Sequence, residues 1–270
     1  MPELPEVEIT KRGVCKHFKE QTLLELTVRQ PQLRWRIPDQ VQDCVGHSLQ
    51  QVQRRSKYMI LDFGQQWQLV HLGMSGAIRI VDPQEDWLKH DHVQWRFETG
   101  AMRLNDPRRF GSVEWVHAEG AFEHPRLANL GLEPFSSDFT AEYLFQKTRN
   151  KKQNVKAFLL AGHAVVGVGN IYASEALFRS GIRPGKSAGR LTRQQADRLQ
   201  REVQAVLAEA IDRGGSTLRD FHAIDGELGY FQLQCMVYGR EGLPCKVCTS
   251  AIKKKVIGQR STFYCPTCQQ

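Results

Sequence analysis

Apolar residues at the start of the chain recur at helical spacing. Leu4, Val7, Val14 and Phe18 fall on one narrow stripe at about 100° per residue, which predicts an opening helix. Proline near its first position and glutamate in its first turn suit a helix start. The period then shortens to two. TLLELTV, KYMILDF, WQLVHLG, AIRIV, HVQWRF and SVEWV are short, rich in β-branched and aromatic residues, and separated by turn residues. In His92-Val93-Gln94-Trp95-Arg96-Phe97 the alternation is strict and places Val93, Trp95 and Phe97 on one face. Glu98-Thr99-Gly100 reads as a turn and Pro83 to Asp91 as a polar loop. Many short antiparallel strands at this spacing predict a β-sandwich or barrel. From about residue 133 the helical period returns. Thr192-Arg193-Gln194-Gln195 is a capping-box signature. It opens a helix with Ala196, Leu199, Val203, Val206, Leu207, Ala210 and Ile211 on one face, and Gly214-Gly215 closes it. Glu133-Pro134-Phe135-Ser136-Ser137 reads as a linker. Ser216 to Tyr230, with Gly226 and Gly229, reads as a long loop of the kind that carries function. There is no internal repeat and no low-complexity tract.

A length of 270 residues predicts one or two domains with ample core, and 41% hydrophobic content suits a globular chain. The formal net charge of +8 points to a polyanionic partner, nucleic acid first. The charge is uneven: residues 236–270 hold six Lys or Arg against one acid. A membrane-surface partner is disfavoured because no long basic amphipathic helix accompanies the charge. No run of about 18 apolar residues predicts a membrane span, and no charged-then-apolar leader precedes the first helix. Of seven cysteines, four lie in the last 26 residues, while Cys15, Cys44 and Cys235 are scattered. That distribution argues against a disulfide framework and for a reducing compartment.

Cys245-Lys246-Val247-Cys248 is followed by sixteen residues and then Cys265-Pro266-Thr267-Cys268. Two CxxC knuckles at this spacing predict a tetrahedral zinc site. Four thiolates fill the coordination sphere, so the expected Zn²⁺ is structural. It would hold a hairpin between Ala251 and Tyr264 that is too small to build its own core. Gly258-Gln259-Arg260 falls near the hairpin tip.

The first residues, Met1-Pro2-Glu3-Leu4-Pro5-Glu6, admit two readings. One is ordinary helix-start chemistry. The other is catalytic: with Met1 removed, Pro2 carries a free secondary amine. An α-amino group has a pKa of about 8, so a fraction is uncharged and nucleophilic near neutral pH. Attack on a sugar C1′ gives an iminium directly, an electron sink for later eliminations. Glu3 and Glu6 then lie beside the amine as candidate acid or base. Gly167 and Gly169 before Asn170 likewise read either as a helix-cap turn or as a place where backbone N–H groups approach a phosphate.

Taken together and in order, MPELPEVE, the lysine of RRSKY, DPRRFG, VGVGNIYASE and the four-cysteine element ending in QR-x-TFYCPTCQ resemble the formamidopyrimidine-DNA glycosylases, bacterial base-excision enzymes for oxidised purines. The resemblance runs over residues 2–270. It implies an α+β fold: an N-terminal helix plus β-sandwich domain over 2–132, a helical domain with a helix–two-turns–helix motif over 133–235, and a zinc-finger hairpin over 236–270. It implies a bifunctional glycosylase and AP lyase acting on double-stranded DNA that contains 8-oxoguanine opposite cytosine or ring-opened formamidopyrimidines, as a cytoplasmic, nucleoid-associated monomer. Pro2 would attack C1′, Glu3 would protonate the ring oxygen, and Glu6 would support geometry or proton transfer. Lys57 would serve β-elimination and Arg260 δ-elimination. Met74, Arg108 and Phe110 match the three residues that fill the void left by an extruded nucleotide. Without the resemblance Met74 and Phe110 read as core packing. His90, Lys151 and Asn170 match DNA-contacting positions. The Ser216–Tyr230 loop resembles the segment that covers the extruded base.

Two competitors share parts of this pattern. An endonuclease VIII-like enzyme for oxidised pyrimidines shares the Pro-Glu start, the two-turn motif and the zinc finger. MPELPEVE, DPRRF and the long loop favour the purine enzyme. A non-catalytic zinc-ribbon binder explains charge and cysteines but leaves the Pro-Glu start without a purpose.

Overall fold

The computed structural model of the chain describes residues 2–215 and 234–270. The Ser216–Tyr230 loop lies outside the described residues. The described chain forms two compact units, one reaching to Ala128 and the other beginning at Asn129.

The first unit opens with α1 (Leu4–Phe18), whose Leu4, Val7, Val14 and Phe18 are all buried as the stripe predicts. Eight strands follow: β1 (Glu25–Val28), β2 (Gln51–Arg55), β3 (Tyr58–Asp62), β4 (Gln66–His71), β5 (Ala77–Val81), β6 (Asp91–Arg96), β7 (Ala101–Asn105) and β8 (Ser112–His117). They form two antiparallel four-stranded sheets, ordered β1-β6-β7-β5 and β2-β3-β4-β8. One apolar core takes side chains from both sheets and from α1, which makes the unit a β-sandwich closed by a helix. The Trp95 indole N–H crosses between sheets and donates to Gln68 Oε1 at 2.7 Å, while Gln68 Nε2 donates to the Val41 carbonyl at 3.0 Å. All polar atoms in that chain are thus satisfied in the interior.

Two strands are absent from the sequence reading. QVQRR (β2) offers one apolar residue, and AMRLN (β7) offers weak β-formers around an arginine. Arg103 of β7 is fully buried. Its guanidinium donates to Gln94 Oε1 at 2.7 Å and to the carbonyls of Glu85 at 2.7 Å and Asp86 at 3.1 Å. The polar loop from Pro83 to Asp91 therefore wraps a buried cation, and the polar face of β6 is covered too. A bulge between Asp91 and Val93 turns His92 inward, where its Nε2 meets the Asp106 carbonyl at 2.8 Å.

The second unit holds α2 (Ala141–Thr148), α3 (Val155–Leu160), α4 (Asn170–Arg179), α5 (Arg193–Asp212) and the hairpin β9 (Lys253–Ile257) and β10 (Arg260–Tyr264). The capping box at Thr192 and Gln195 starts α5 as expected, and Gly214 (φ +75°) follows its last turn. Of the face read from sequence, Ile211 alone is not buried. The turns between α3 and α4 make a helix–two-turns–helix, with Gly167 (φ +77°) in the left-handed region. The fold is α+β, as the resemblance implies.

Phe18 stacks on Phe97 at 4.6 Å with both rings buried, joining α1 to the sandwich. Replacing Phe18 with alanine is expected to cost about 3–5 kcal/mol of unfolding free energy, read from urea denaturation.

Candidate active site and nucleic-acid interface

The helix start that reads as ordinary capping is also where the candidate chemistry sits. Pro2 is buried, Glu3 is 2% and Glu6 1% exposed. The two glutamates close a reciprocal capping box in which the Glu3 N–H donates to Glu6 Oε2 at 2.8 Å. Pro5 in the first turn costs no helical hydrogen bond. Gly215 sits in the left-handed region (φ +80°), and a Cβ there would stand 3.2 Å from Glu6 Oε1, so glycine suits this close pass by the carboxylate. The site thus places two desolvated carboxylates directly after Pro2.

Lys57 follows Ser56 (φ +57°) in the two-residue turn between β2 and β3. Arg54 shapes this turn by donating to the Ser56 carbonyl at 2.9 Å, and reaches Glu8 of α1 at 3.0 Å. The Lys57 turn is tied in this way to the helix that begins at the candidate catalytic residues.

Met74 and Phe110 are 39% and 40% exposed, whereas Met59 and Met102 are fully buried. Core packing therefore does not explain Met74 and Phe110. They stand with Arg108 around a cavity of about 590 Å³ that Arg34 and His71 also line. The Arg108 guanidinium lies 4.9 Å over the Phe110 ring. His90 is half-buried at the end of the loop that Arg103 organises.

His71 lines the same cavity, though the pattern of the chain does not single it out. Its Nδ1 accepts the Gly73 N–H at 3.0 Å, which leaves Nε2–H as the outward donor. Burial, Lys57 and Arg34 push its pKa down to about 4. The only sequence signal was a lone histidine at the end of an apolar strand.

In the second unit, the Asn170 side-chain amide donates to the Ser261 carbonyl at 3.0 Å, one residue after Arg260. Lys156, fully buried, donates to the same carbonyl at 3.2 Å and to Thr262 Oγ1 at 2.8 Å. Asn170 and Arg260 are thereby brought together, with Lys156 as an anchor that went unread, a lysine inside the apolar hexapeptide VKAFLL. Arg260 is exposed and opens β10 after the left-handed turn Gly258-Gln259. Lys151 is exposed, and its backbone carbonyl accepts from Ser187 Oγ at 3.0 Å.

The four sulfurs of Cys245, Cys248, Cys265 and Cys268 lie within 4.8 Å of one another. Cys245 and Cys268 are 3.9 Å apart, and Cys248 and Cys265 are 3.3 Å apart. Tetrahedral Zn–S bonds of about 2.3 Å need sulfurs separated by about 3.8 Å. The donor set thus fits one structural zinc, which ties both knuckles to the hairpin that carries Arg260. Among the described residues no helix is long and apolar enough to cross a membrane.

Family comparison agrees with this geometry along the chain. Residues 1–113 match the N-terminal domain of formamidopyrimidine-DNA glycosylase, 130–222 its H2TH domain, and 242–270 a zinc finger found in FPG and IleRS. Formamidopyrimidine-DNA glycosylases of Aromatoleum aromaticum and Thioalkalivibrio sulfidiphilus are 53% and 50% identical, each with full coverage of both chains. The crystal structure of MutM (Fpg) from Thermus thermophilus superposes with TM-score 0.91 at 38% identity, covering 99% of this chain and 98% of that one. A Lactococcus lactis Fpg variant in complex with Fapy-dG-containing DNA superposes with TM-score 0.94 at 31% identity and full coverage of both. The wild-type Lactococcus lactis protein in complex with DNA containing an oxidised pyrimidine gives 0.92 at 30% identity, again over both whole chains.

Two outcomes are expected. Zinc assay should give one ion per chain, and its removal by chelation should unfold the hairpin and abolish DNA binding in a gel-shift assay. The His71 pKa is lower in the folded chain than the ordinary 6.5. Its contribution to stability is therefore present above pH 6.5 and lost as pH falls towards 4, by up to roughly 3 kcal/mol. His71→Gln should flatten that acid slope in denaturation curves taken from pH 7 to 4.

Proposed function

The chain belongs to the formamidopyrimidine-DNA glycosylase family and is a DNA base-excision repair glycosylase; from this footing we propose that it removes oxidised purines and cleaves the strand through a Pro2 Schiff base. The observation that carries the proposal is the pair of buried carboxylates held in register at the first turn, directly after Pro2. Helix capping needs only one such carboxylate and does not need it buried. Two desolvated acids beside a secondary amine match the demands of amine attack and proton transfer.

In the reaction, the Pro2 nitrogen bonds to C1′ as the glycosidic bond breaks and the base leaves. Glu3 protonates the ring oxygen as the sugar opens to an iminium. Glu6 holds the Glu3 backbone, so Glu3 keeps its position as its charge changes. Loss of the C2′ proton expels the 3′ phosphate, with Lys57 serving that step. A second elimination, assisted by Arg260, expels the 5′ phosphate and leaves a one-nucleotide gap. Met74, Arg108 and Phe110 fill the void of the extruded nucleotide, and Arg108 hydrogen-bonds the orphaned partner base. His90, Lys151 and Asn170 hold phosphates, and His71 adds a neutral donor near Lys57. The domains divide this labour over residues 2–132, 133–235 and 236–270. The enzyme works as a monomer on nucleoid DNA in the cytoplasm.

Oxidised purines are the substrate class that the ordered motifs favour, and the complex of a Lactococcus lactis relative with Fapy-dG-containing DNA supports that reading. The complex of that relative with DNA containing an oxidised pyrimidine is the observation behind the competing pyrimidine reading. The test is borohydride trapping on a duplex with one 8-oxoguanine opposite cytosine, set beside a thymine glycol duplex. A covalent adduct formed faster on 8-oxoguanine is expected, and Pro2→Gly should lower its yield at least about 100-fold. Undiminished trapping by Pro2→Gly sinks the Schiff-base assignment. Faster trapping on thymine glycol reassigns the enzyme to pyrimidines.

A further inference from the structure

Asp106 is fully buried in the first unit. Its carboxylate nevertheless collects both loops that carry the exposed Met74, Arg108 and Phe110. Oδ1 accepts the Ser75 hydroxyl at 2.9 Å and the Arg108 N–H at 3.3 Å, and Oδ2 accepts the Gly111 N–H at 2.8 Å. The Asp106 N–H donates to the His90 carbonyl at 2.9 Å. The loops also touch through bare backbone. A Cβ on Gly73 would lie 2.4 Å from the Phe110 carbonyl carbon, and one on Gly111 would lie 2.8 Å from the His71 carbonyl oxygen.

We propose that Asp106 and Ser75 are positioning residues that weld the Met74 loop and the Arg108–Phe110 loop into one rigid wedge, so that partner-base reading by Arg108 depends on a hydroxyl on the opposite loop. The inference rests on the void-filling role given above to Met74, Arg108 and Phe110. Its physical basis is the cost of leaving a buried carboxylate short of donors. Ser75 supplies one of the three hydrogen bonds that a desolvated Asp106 needs, and the other two come from the backbone of the Arg108 loop. When Ser75 is lost, the carboxylate re-solvates or turns, and the Arg108 and Gly111 N–H groups lose a fixed acceptor. Phe110 and Arg108 then sample several positions instead of one, and a side chain must be held closely to discriminate one base from another. Asp106 also links this wedge to the backbone of His90, so three segments of the candidate interface share one anchor.

The experiment measures affinity without chemistry. The full-length protein, its zinc bound, is titrated with duplexes carrying a tetrahydrofuran abasic analogue opposite cytosine or adenine, and with undamaged duplex. Ser75→Ala should reduce the cytosine-over-adenine affinity ratio about fivefold, which is about 1 kcal/mol of discrimination. Affinity for undamaged duplex should stay near wild type and the thermal midpoint should fall by only a few degrees, which a general loss of structure would not allow. Ser75→Thr, which keeps the hydroxyl, should restore the ratio. Asp106→Asn should lose more, because its amide N–H₂ opposes a backbone N–H. Arg108→Ala separates the two levels. If Arg108→Ala loses discrimination while Ser75→Ala keeps it, the welded wedge is overturned and the void-filling reading stands. If Arg108→Ala keeps full discrimination, the void-filling reading fails, and the coupling goes with it.

Discussion

The hydrogen bonding between Glu3 and Glu6 is the contact on which the candidate site depends. Both carboxylates are almost wholly out of water, and a buried charge without donors is costly. The first turn of α1 supplies those donors from its own orphan N–H groups, which every helix start must satisfy in some way. One arrangement therefore does two things. It begins the helix and it holds two acids beside Pro2. The apolar stripe of α1 then locks the turn onto the sandwich, and the Arg54–Glu8 pair ties it to the turn that carries Lys57.

The same device recurs elsewhere. Arg103 gathers the carbonyls of the loop before His90, Asp106 gathers N–H groups from the loop of Arg108, and Glu175 accepts from the backbones of Met236, Val237 and Tyr238 at 2.7–3.0 Å. Lys156 holds the strand next to Arg260. Lys156 grips a paired strand, but in the first three cases one buried charge is satisfied largely by main-chain groups of an irregular segment. Such a charge adds little net stability, since its desolvation offsets its bonds. It does fix the path of a loop that has no ladder of its own. The molecule puts its surface chemistry on loops and turns, and its geometry on buried charges behind them.

Legibility followed from how local each signal is. The α1 stripe, six of eight sandwich strands, the Thr192 capping box and the zinc knuckles depend on residues a few positions apart, and all stand where the pattern puts them. QVQRR and AMRLN carry no local strand pattern because they become strands through their partners. Met59 and Leu61 of the neighbouring strand flank the first, and the second exists to bury Arg103. The opposite failure is instructive too. Met74 and Phe110 look like core by composition, and only their exposure separates them from Met59 and Met102.

By itself the sequence determined the secondary-structure periods, the metal ligands, the positive charge and, as an ordered set of motifs, the family. These are properties of spacing and side-chain chemistry, and they survive without coordinates. Tertiary structure alone decided that Glu3 and Glu6 are desolvated together, that His71 stays neutral beside Lys57, and that a single carboxylate joins Ser75 to Arg108. Those facts concern residues far apart in the chain, or the amount of water left around a charge. Neither is written in local pattern, because desolvation and long-range hydrogen bonds exist only once the two sheets have closed on one core.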